Sequence, residues 1–203
     1  MRNDDTDKPI AGENQLMTEE ILKATAVLRS GGTMLYPTDT IWGIGCDATN
    51  YRAVEKICQL KKRTAQKSFI ILLDQPEKLA KYVDKVPDII WDLLPSIDYP
   101  LTVIYPGAKN LPKNVVAADQ SVAIRIVKDA FCKELVSFFG KPIVSTSANF
   151  ADEPTPLMFS HISKELINKV DHVVNLNRDK LNTLKPSMII RVRENGTYEV
   201  LRS

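Results

Sequence analysis

Val122-Ala123-Ile124-Arg125-Ile126-Val127 is an apolar, β-branched run of strand length with a charge in its middle. Such a run reads as a buried strand. A guanidinium keeps its charge at any accessible pH, and burying it alone carries a heavy desolvation penalty. The fold therefore has to bring an anion to Arg125. Two arrangements do so: an internal salt bridge to an Asp or Glu, or a cavity in which Arg125 clamps a ligand carboxylate or phosphate.

Two separated segments offer the rest of such a cavity. Tyr36-Pro37-Thr38-Asp39-Thr40-Ile41-Trp42-Gly43-Ile44-Gly45 and Pro142-Ile143-Val144-Ser145-Thr146-Ser147-Ala148-Asn149 each join an apolar run to a cluster of hydroxyls and small residues. That is how a buried strand delivers polar groups to a ligand, although either cluster also suits a side-chain-to-backbone turn. Between them, Lys61-Lys62-Arg63-Thr64-Ala65-Gln66-Lys67 runs off the end of a predicted helix. A basic run there also reads as a solvated helix end. Its immediate return into the apolar run at Phe69 pins the loop to a sheet edge, where open α/β sheets bind ligands. Small hydroxyls with fixed cations suit a ligand that is both amino-acid-like and phosphorylated.

Composition excludes several classes. With 203 residues, 44% of them hydrophobic, the chain can bury one core. A net charge of +2 is too small for a dedicated nucleic-acid binder, so positive potential has to be local. No apolar run reaches the length of a bilayer span, and the polar N-terminus does not resemble a signal peptide, which points to the cytoplasm. Cys46, Cys58 and Cys132 are odd in number and widely spaced, and His161 and His172 fall in no metal-ligand spacing. There is no Gly-rich P-loop and no G-x-G-x-x-G.

Residues 1–15 read as a mobile tail and residues 16–203 as the folded domain, beginning with a helix capped by Thr18 and ended by Gly31-Gly32. Asn50 or Thr49 caps a helix that delivers Lys61 and Arg63 at its end. Strands are expected at 33–36, 69–73, 101–105, 121–127, 143–145, 172–176, 188–192 and 198–201. Helical patterns cover 76–83, 87–94, 131–139 and 159–170. Asn195-Gly196 predicts a type I′ hairpin between the last two strands. Helices and strands interleave with at least one antiparallel pair, so the class is α/β with a mixed twisted sheet.

Taken in order, these segments resemble the YrdC/TsaC family, the L-threonylcarbamoyladenylate synthases of tRNA modification, from about Leu16 to Arg202. The Pro-Thr-acidic-Thr signature with its aromatic-Gly-x-Gly stretch is Pro37 to Gly45, and the K-x-R motif is Lys61-Lys62-Arg63. The Pro-Leu-Thr strand start is Pro100-Leu101-Thr102, the strand arginine is Arg125, and the Ser-Ala-Asn motif is Ser147-Ala148-Asn149. The resemblance implies a YrdC-like fold, a mixed sheet flanked by helices with an open concave basic cavity. It also implies synthesis of threonylcarbamoyl-AMP and pyrophosphate from L-threonine, bicarbonate and ATP, with Mg²⁺ carried on the ATP phosphates. Transfer proteins would then move the threonylcarbamoyl group to tRNA.

Carried over by position, Thr40, Arg125, Ser145 and Ser187 would bind threonine, and Arg63, Lys67, Ser121, Ser147, Thr155 and Arg202 would bind ATP. Lys61 and Arg63 would be catalytic, stabilising charge on the phosphates. Three departures stand out. Lys62 replaces a frequent glycine and Thr64 the usual proline. Leu72 takes the place of a histidine found in longer relatives, which would alter contacts to threonine. The rival reading is a non-catalytic module for tRNA or double-stranded RNA.

Overall fold

The computed structural model describes residues 11–62, 69–151, 153–181 and 187–203. Five α-helices are described: α1 (Ala11–Arg29), α2 (Tyr51–Leu60), α3 (Ile89–Ser96), α4 (Ala130–Phe139) and α5 (Lys164–Lys169). The strands are β1 (Met34–Tyr36), β2 (Gly43–Gly45), β3 (Ile70–Leu73), β4 (Leu101–Tyr105), β5 (Val122–Ile126), β6 (Ile143–Ser147), β7 (His172–Val173), β8 (Met188–Val192) and β9 (Tyr198–Arg202). They form one sheet in the order β7-β1-β2-β6-β3-β5-β4-β8-β9. Pairs β1/β7, β3/β5 and β4/β8 are parallel and the others antiparallel, so the expected mixed sheet is present.

Side chains alternate between the two faces of each strand, and that period decides where the open site lies. Leu35, Ile44, Ile71, Val103, Ile124, Val144 and Ile190 share one face. They pack there with Ala53, Val54 and Ile57 of α2, Ile90 of α3 and Leu166 of α5. Among the described residues, the opposite face is covered by helices from β1 to β3, where Met34, Tyr36, Leu72 and Ile143 meet Ile21, Ala24 and Leu28 of α1 and Phe131, Leu135 and Val136 of α4. Beyond those helices the same face presents Thr102, Ile104, Ala123, Arg125 and Ile189 to a cavity. Half of one sheet face is thus core and half is site.

The local signals mostly hold. Asn50 caps α2 by accepting from the Arg52 and Ala53 amides. Gly31, at φ 74°, closes α1 with Gly31 and Gly32 amides donating back to Leu28 and Val27 carbonyls. Four expectations need correction. Helix α1 already runs at Ala11, inside the segment read as tail, and Thr18 is within it, its hydroxyl donating to the Asn14 carbonyl at 2.9 Å. The stripe Met17, Ile21, Ala24, Leu28 explains this, because its first member precedes Thr18. The pattern at 159–170 is broken: a 3₁₀ turn over Phe159–His161 and then α5 are separated by extended, buried Ile162. The last hairpin exists, but of its central pair only Gly196 has positive φ, so its turn is not type I′. The segment Gly43–Gly45, where no strand was expected, is strand β2. No described helix is long and apolar enough to cross a membrane.

The cavity floor depends on Tyr36, whose fully buried ring lies against both glycines of β2 and whose hydroxyl donates to the Val144 carbonyl at 3.3 Å. A Cβ on Gly45 would stand 2.6 Å from the Val144 carbonyl oxygen and 2.7 Å from Tyr36 Cε1. Backbone cannot yield as a side chain can. Gly45→Ala is expected to lose about 3 kcal/mol of stability in urea denaturation, the upper end of ordinary overpacking. At Gly43 the nearest neighbours are Ser145 Oγ at 3.3 Å and Thr38 Cγ2 at 3.4 Å, so Gly43→Ala should unfold close to wild type.

Candidate active site

Arg125 is buried at the inner wall of a cavity of about 600 Å³. Its Nε donates to Thr102 Oγ1 at 3.1 Å and its Nη2 to Ser187 Oγ at 2.9 Å, while Nη1 reaches Asp39 Oδ1 at 3.1 Å and Thr40 Oγ1 at 3.3 Å. Both alternatives raised by the sequence are therefore realised together. Arg125 has an internal carboxylate partner, and it also lines a cavity. The Arg125 and Asp39 side chains are only 6% and 9% exposed, so their attraction is little screened. Asp39 Oδ2 is buried with no hydrogen-bond partner among the described residues.

The loop after β1 presents these groups through a side-chain turn. Thr38 Oγ1 accepts from the Thr40 and Ile41 amides and donates to the Ile41 carbonyl, which turns Asp39 toward Arg125 and Thr40 into the cavity. The turn expected for this segment and a ligand-facing role are thus compatible. Ser187 precedes β8, and its hydroxyl is shared by two guanidinium groups. Arg202 Nη2 donates to it at 3.2 Å while Arg202 Nε donates to its carbonyl at 3.0 Å. Burial first, and the Arg125 charge second, hold the Arg202 pKa below the usual guanidinium value. Arg202 has no ion-pair partner among the described residues, so its charge is available to an anion.

Lys61 sits differently from the cavity-mouth cation expected of it. At the C-cap of α2 it is buried, and its Nζ donates to the Ser147 carbonyl at 2.7 Å, the Asn149 carbonyl, and Asn149 Oδ1 at 3.2 Å. It does not line the cavity; it holds the Ser147-Ala148-Asn149 turn, whose Ser147 does. Lys62 has φ 48°, a left-handed conformation just past the helix cap, which is why glycine is the unstrained residue at that position.

Thr40, Arg125, Ser145, Ser147, Thr155, Ser187 and Arg202 all line the one cavity, from segments far apart in the chain. Ser121 does not. Its hydroxyl donates to Asp119 at 2.6 Å, which together with the Ser121 amide lowers the Asp119 pKa, and it borders a smaller adjoining cavity of about 360 Å³. Arg63 and Lys67 lie outside the described residues. Leu72 lies on the same sheet face as the cavity but beneath α1 and α4, outside the cavity lining, and Ile70, two residues earlier on that strand, lines the site. Sequence reasoning did not assign the roles of Asp39 and Thr102. Asp39 carries a recognisable signal, a carboxylate within a hydroxyl cluster, but its partner lies 86 residues away.

Removing one member of a buried pair leaves the other charge uncompensated. Asp39→Ala should destabilise the protein by about 3–5 kcal/mol, and Arg125→Ala by a similar amount, both read by urea denaturation. Asp39→Asn keeps an acceptor for Nη1 and should lose less. An Asp39→Ala protein as stable as wild type would mean that the three hydroxyls suffice to compensate Arg125.

Comparison with known proteins agrees with this architecture. A family model named for Sua5, YciO and YrdC, and described as telomere recombination, matches residues 26–203. A Hahella chejuensis protein named threonylcarbamoyl-AMP synthase is 37% identical over 185 residues, covering 90% of this chain and 97% of its own. A Pseudoalteromonas translucida protein of the same name is 35% identical over 158 residues, 76% of this chain and 84% of its own. The crystal structure of P. abyssi Sua5 complexed with L-threonine superimposes with a TM-score of 0.80 at 23% identity, over 92% of this chain. That is a likeness of fold, and this chain spans only 54% of that protein's length. Sequence and fold together identify the chain as a member of the Sua5/YciO/YrdC family.

Proposed function

We propose that this protein is an L-threonylcarbamoyl-AMP synthase, using L-threonine, bicarbonate and ATP and releasing pyrophosphate. One observation carries the reading: a hydroxyl-lined cavity in which Arg125 and Arg202 converge on Ser187 from opposite sides. Two fixed cations divided by one serine suit two anionic groups, a carboxylate and a phosphate chain. The names of the two bacterial relatives support it, as does the L-threonine in P. abyssi Sua5.

The threonine carboxylate is assigned to Arg125, with Thr40, Ser145 and Ser187 around it. The phosphates are assigned to Arg202, Ser147 and Thr155, together with Arg63, Lys67 and Ser121. The threonine amine attacks the carbonyl carbon of bicarbonate and water leaves, giving a carbamate. A carbamate oxygen then attacks the α-phosphorus as the α–β anhydride bond breaks and pyrophosphate departs. No protein nucleophile is needed. The chain orients the reactants and stabilises charge that grows on phosphate oxygens. Lys61 serves this by keeping Ser147 in place.

Magnesium would travel with ATP. Among the described residues no three His, Cys, Asp or Glu side chains come together to hold an ion, so phosphate oxygens and water would complete its coordination. The product is a reactive mixed anhydride, fit for transfer to tRNA by partner proteins in the cytoplasm. The RNA-binding alternative is not favoured: none of the described residues lining the cavity is aromatic, so bases would find no stacking platform there.

Pyrophosphate release should require all three substrates, falling to background when L-threonine or bicarbonate is withheld. A pocket built to hydrogen-bond a hydroxyl rejects analogues that lack it much more strongly than analogues missing one methyl. L-serine should therefore turn over slowly and L-valine scarcely at all. Equal turnover of valine and threonine would remove the hydroxyl-reading role of Thr40 and Ser145, and release without any amino acid would remove the synthase reading.

A further inference from the structure

Strict alternation along β9 puts Arg202 on the wrong side of the sheet. Tyr198 pairs with Val192, Glu199 with Arg191 and Val200 with Ile190. Opposed residues of an antiparallel pair share a face. Tyr198 and Val200 therefore lie on the core face with Val192 and Ile190, while Glu199 lies on the cavity face with Arg191. Continued without interruption, this pleat would set Leu201 opposite cavity-lining Ile189 and turn Arg202 to the core face. The register instead shifts between Ile189 and Ile190, and Arg202 itself stands opposite Ile189. One extra residue, Leu201, has been taken up in β9, which is the defining feature of a β-bulge, and bulges re-aim side chains beside functional sites.

We propose that this bulge is a positioning device for the nucleotide half of the site: the register shift, which leaves Leu201 unpaired, sets the face on which Arg202 emerges, and the Leu201 side chain does not. The inference rests on the assignment of Arg202 to ATP made above. Three further observations agree with this role. Leu201 is half exposed, so its side chain contributes little to the core. Arg202 is locked after the bulge by two hydrogen bonds to Ser187, so the cavity geometry holds the shifted register. β9 is the edge strand of the sheet, where an unpaired extra residue disturbs a single ladder.

The test changes chain length around Arg202 in the full-length protein and follows pyrophosphate release against ATP concentration. Leu201→Ala should keep the wild-type KM for ATP, because the register shift remains. Deleting Leu201 should also keep it within about threefold, since a regular pleat then places the arginine opposite Ile189, whereas an alanine inserted between Leu201 and Arg202 should raise KM roughly 10- to 100-fold, the loss of one charge-assisted hydrogen bond. That increase should match Arg202→Ala. An alanine inserted after Arg202 lengthens the chain equally and should leave KM unchanged. If Arg202→Ala raises KM but the insertion before Arg202 does not, the arginine reaches ATP regardless of register and the positioning role is overturned. If Arg202→Ala itself leaves KM at wild type, the assignment of Arg202 to ATP fails, and the inference with it. Should the insertion variant not fold, the deletion decides: wild-type KM supports the dependence on the face from which the arginine emerges, and a KM at the Arg202→Ala level overturns it.

Discussion

The buried guanidinium of Arg125 is the constraint around which the site is organised. It lies on β5 between β3 and β4, and its partners come from three other parts of the chain: Asp39 and Thr40 after β1, Thr102 on β4 and Ser187 before β8. A buried ion pair contributes little net stability, because desolvation offsets most of the attraction, but losing one partner is severe. The pair therefore acts mainly on specificity, favouring the one packing in which the loop after β1 and the entrance to β8 both reach β5. The groups that compensate the charge are then the same groups that line the cavity.

The cavity exists because the helices do not cover the sheet evenly. On one face the core extends across the strands from Leu35 to Ile190, while on the other, among the described residues, α1 and α4 reach only from β1 to β3. Where the helical cover ends, small or hydroxylated residues, among them Gly43, Thr102, Ala123 and Ser145, are interspersed with Ile70, Ile104 and Ile189. Small side chains leave volume for a ligand, and hydroxyls satisfy polar groups without adding charge. Tyr36 supports the cavity floor from below, where burial is the main cause of its raised pKa.

The cations divide by role. Lys61, which adjoins the basic stretch in sequence, points inward and fixes backbone carbonyls of the Ser147-Ala148-Asn149 turn. Arg125 is compensated by Asp39, and Arg202 faces the cavity with no carboxylate partner among the described residues. A lysine's compact ammonium suits the convergence of several carbonyl oxygens, whereas the planar arginine fork suits a two-oxygen anion. The chain uses each where its geometry fits.

Much was legible from sequence because it rests on local rules. The period of apolar residues marks α2, α4, β3 and β5, the caps at Asn50 and Gly140 bound their helices, and the odd charge at Arg125 signals that an anion has to be nearby. Thr155, Ser187 and Arg202 could be assigned to one site only through likeness to a family, since nothing in their spacing brings them together. The tertiary structure alone decided the rest. Asp39 as the partner of Arg125, Lys61 as an internal clamp and Ile70 rather than Leu72 at the cavity wall all depend on contacts across strands far apart in the chain. Arg202 shows the limit most plainly. Its side-chain direction follows from a single unpaired residue in β9, and a strand's own sequence records its alternation but not the register in which its neighbour accepts it.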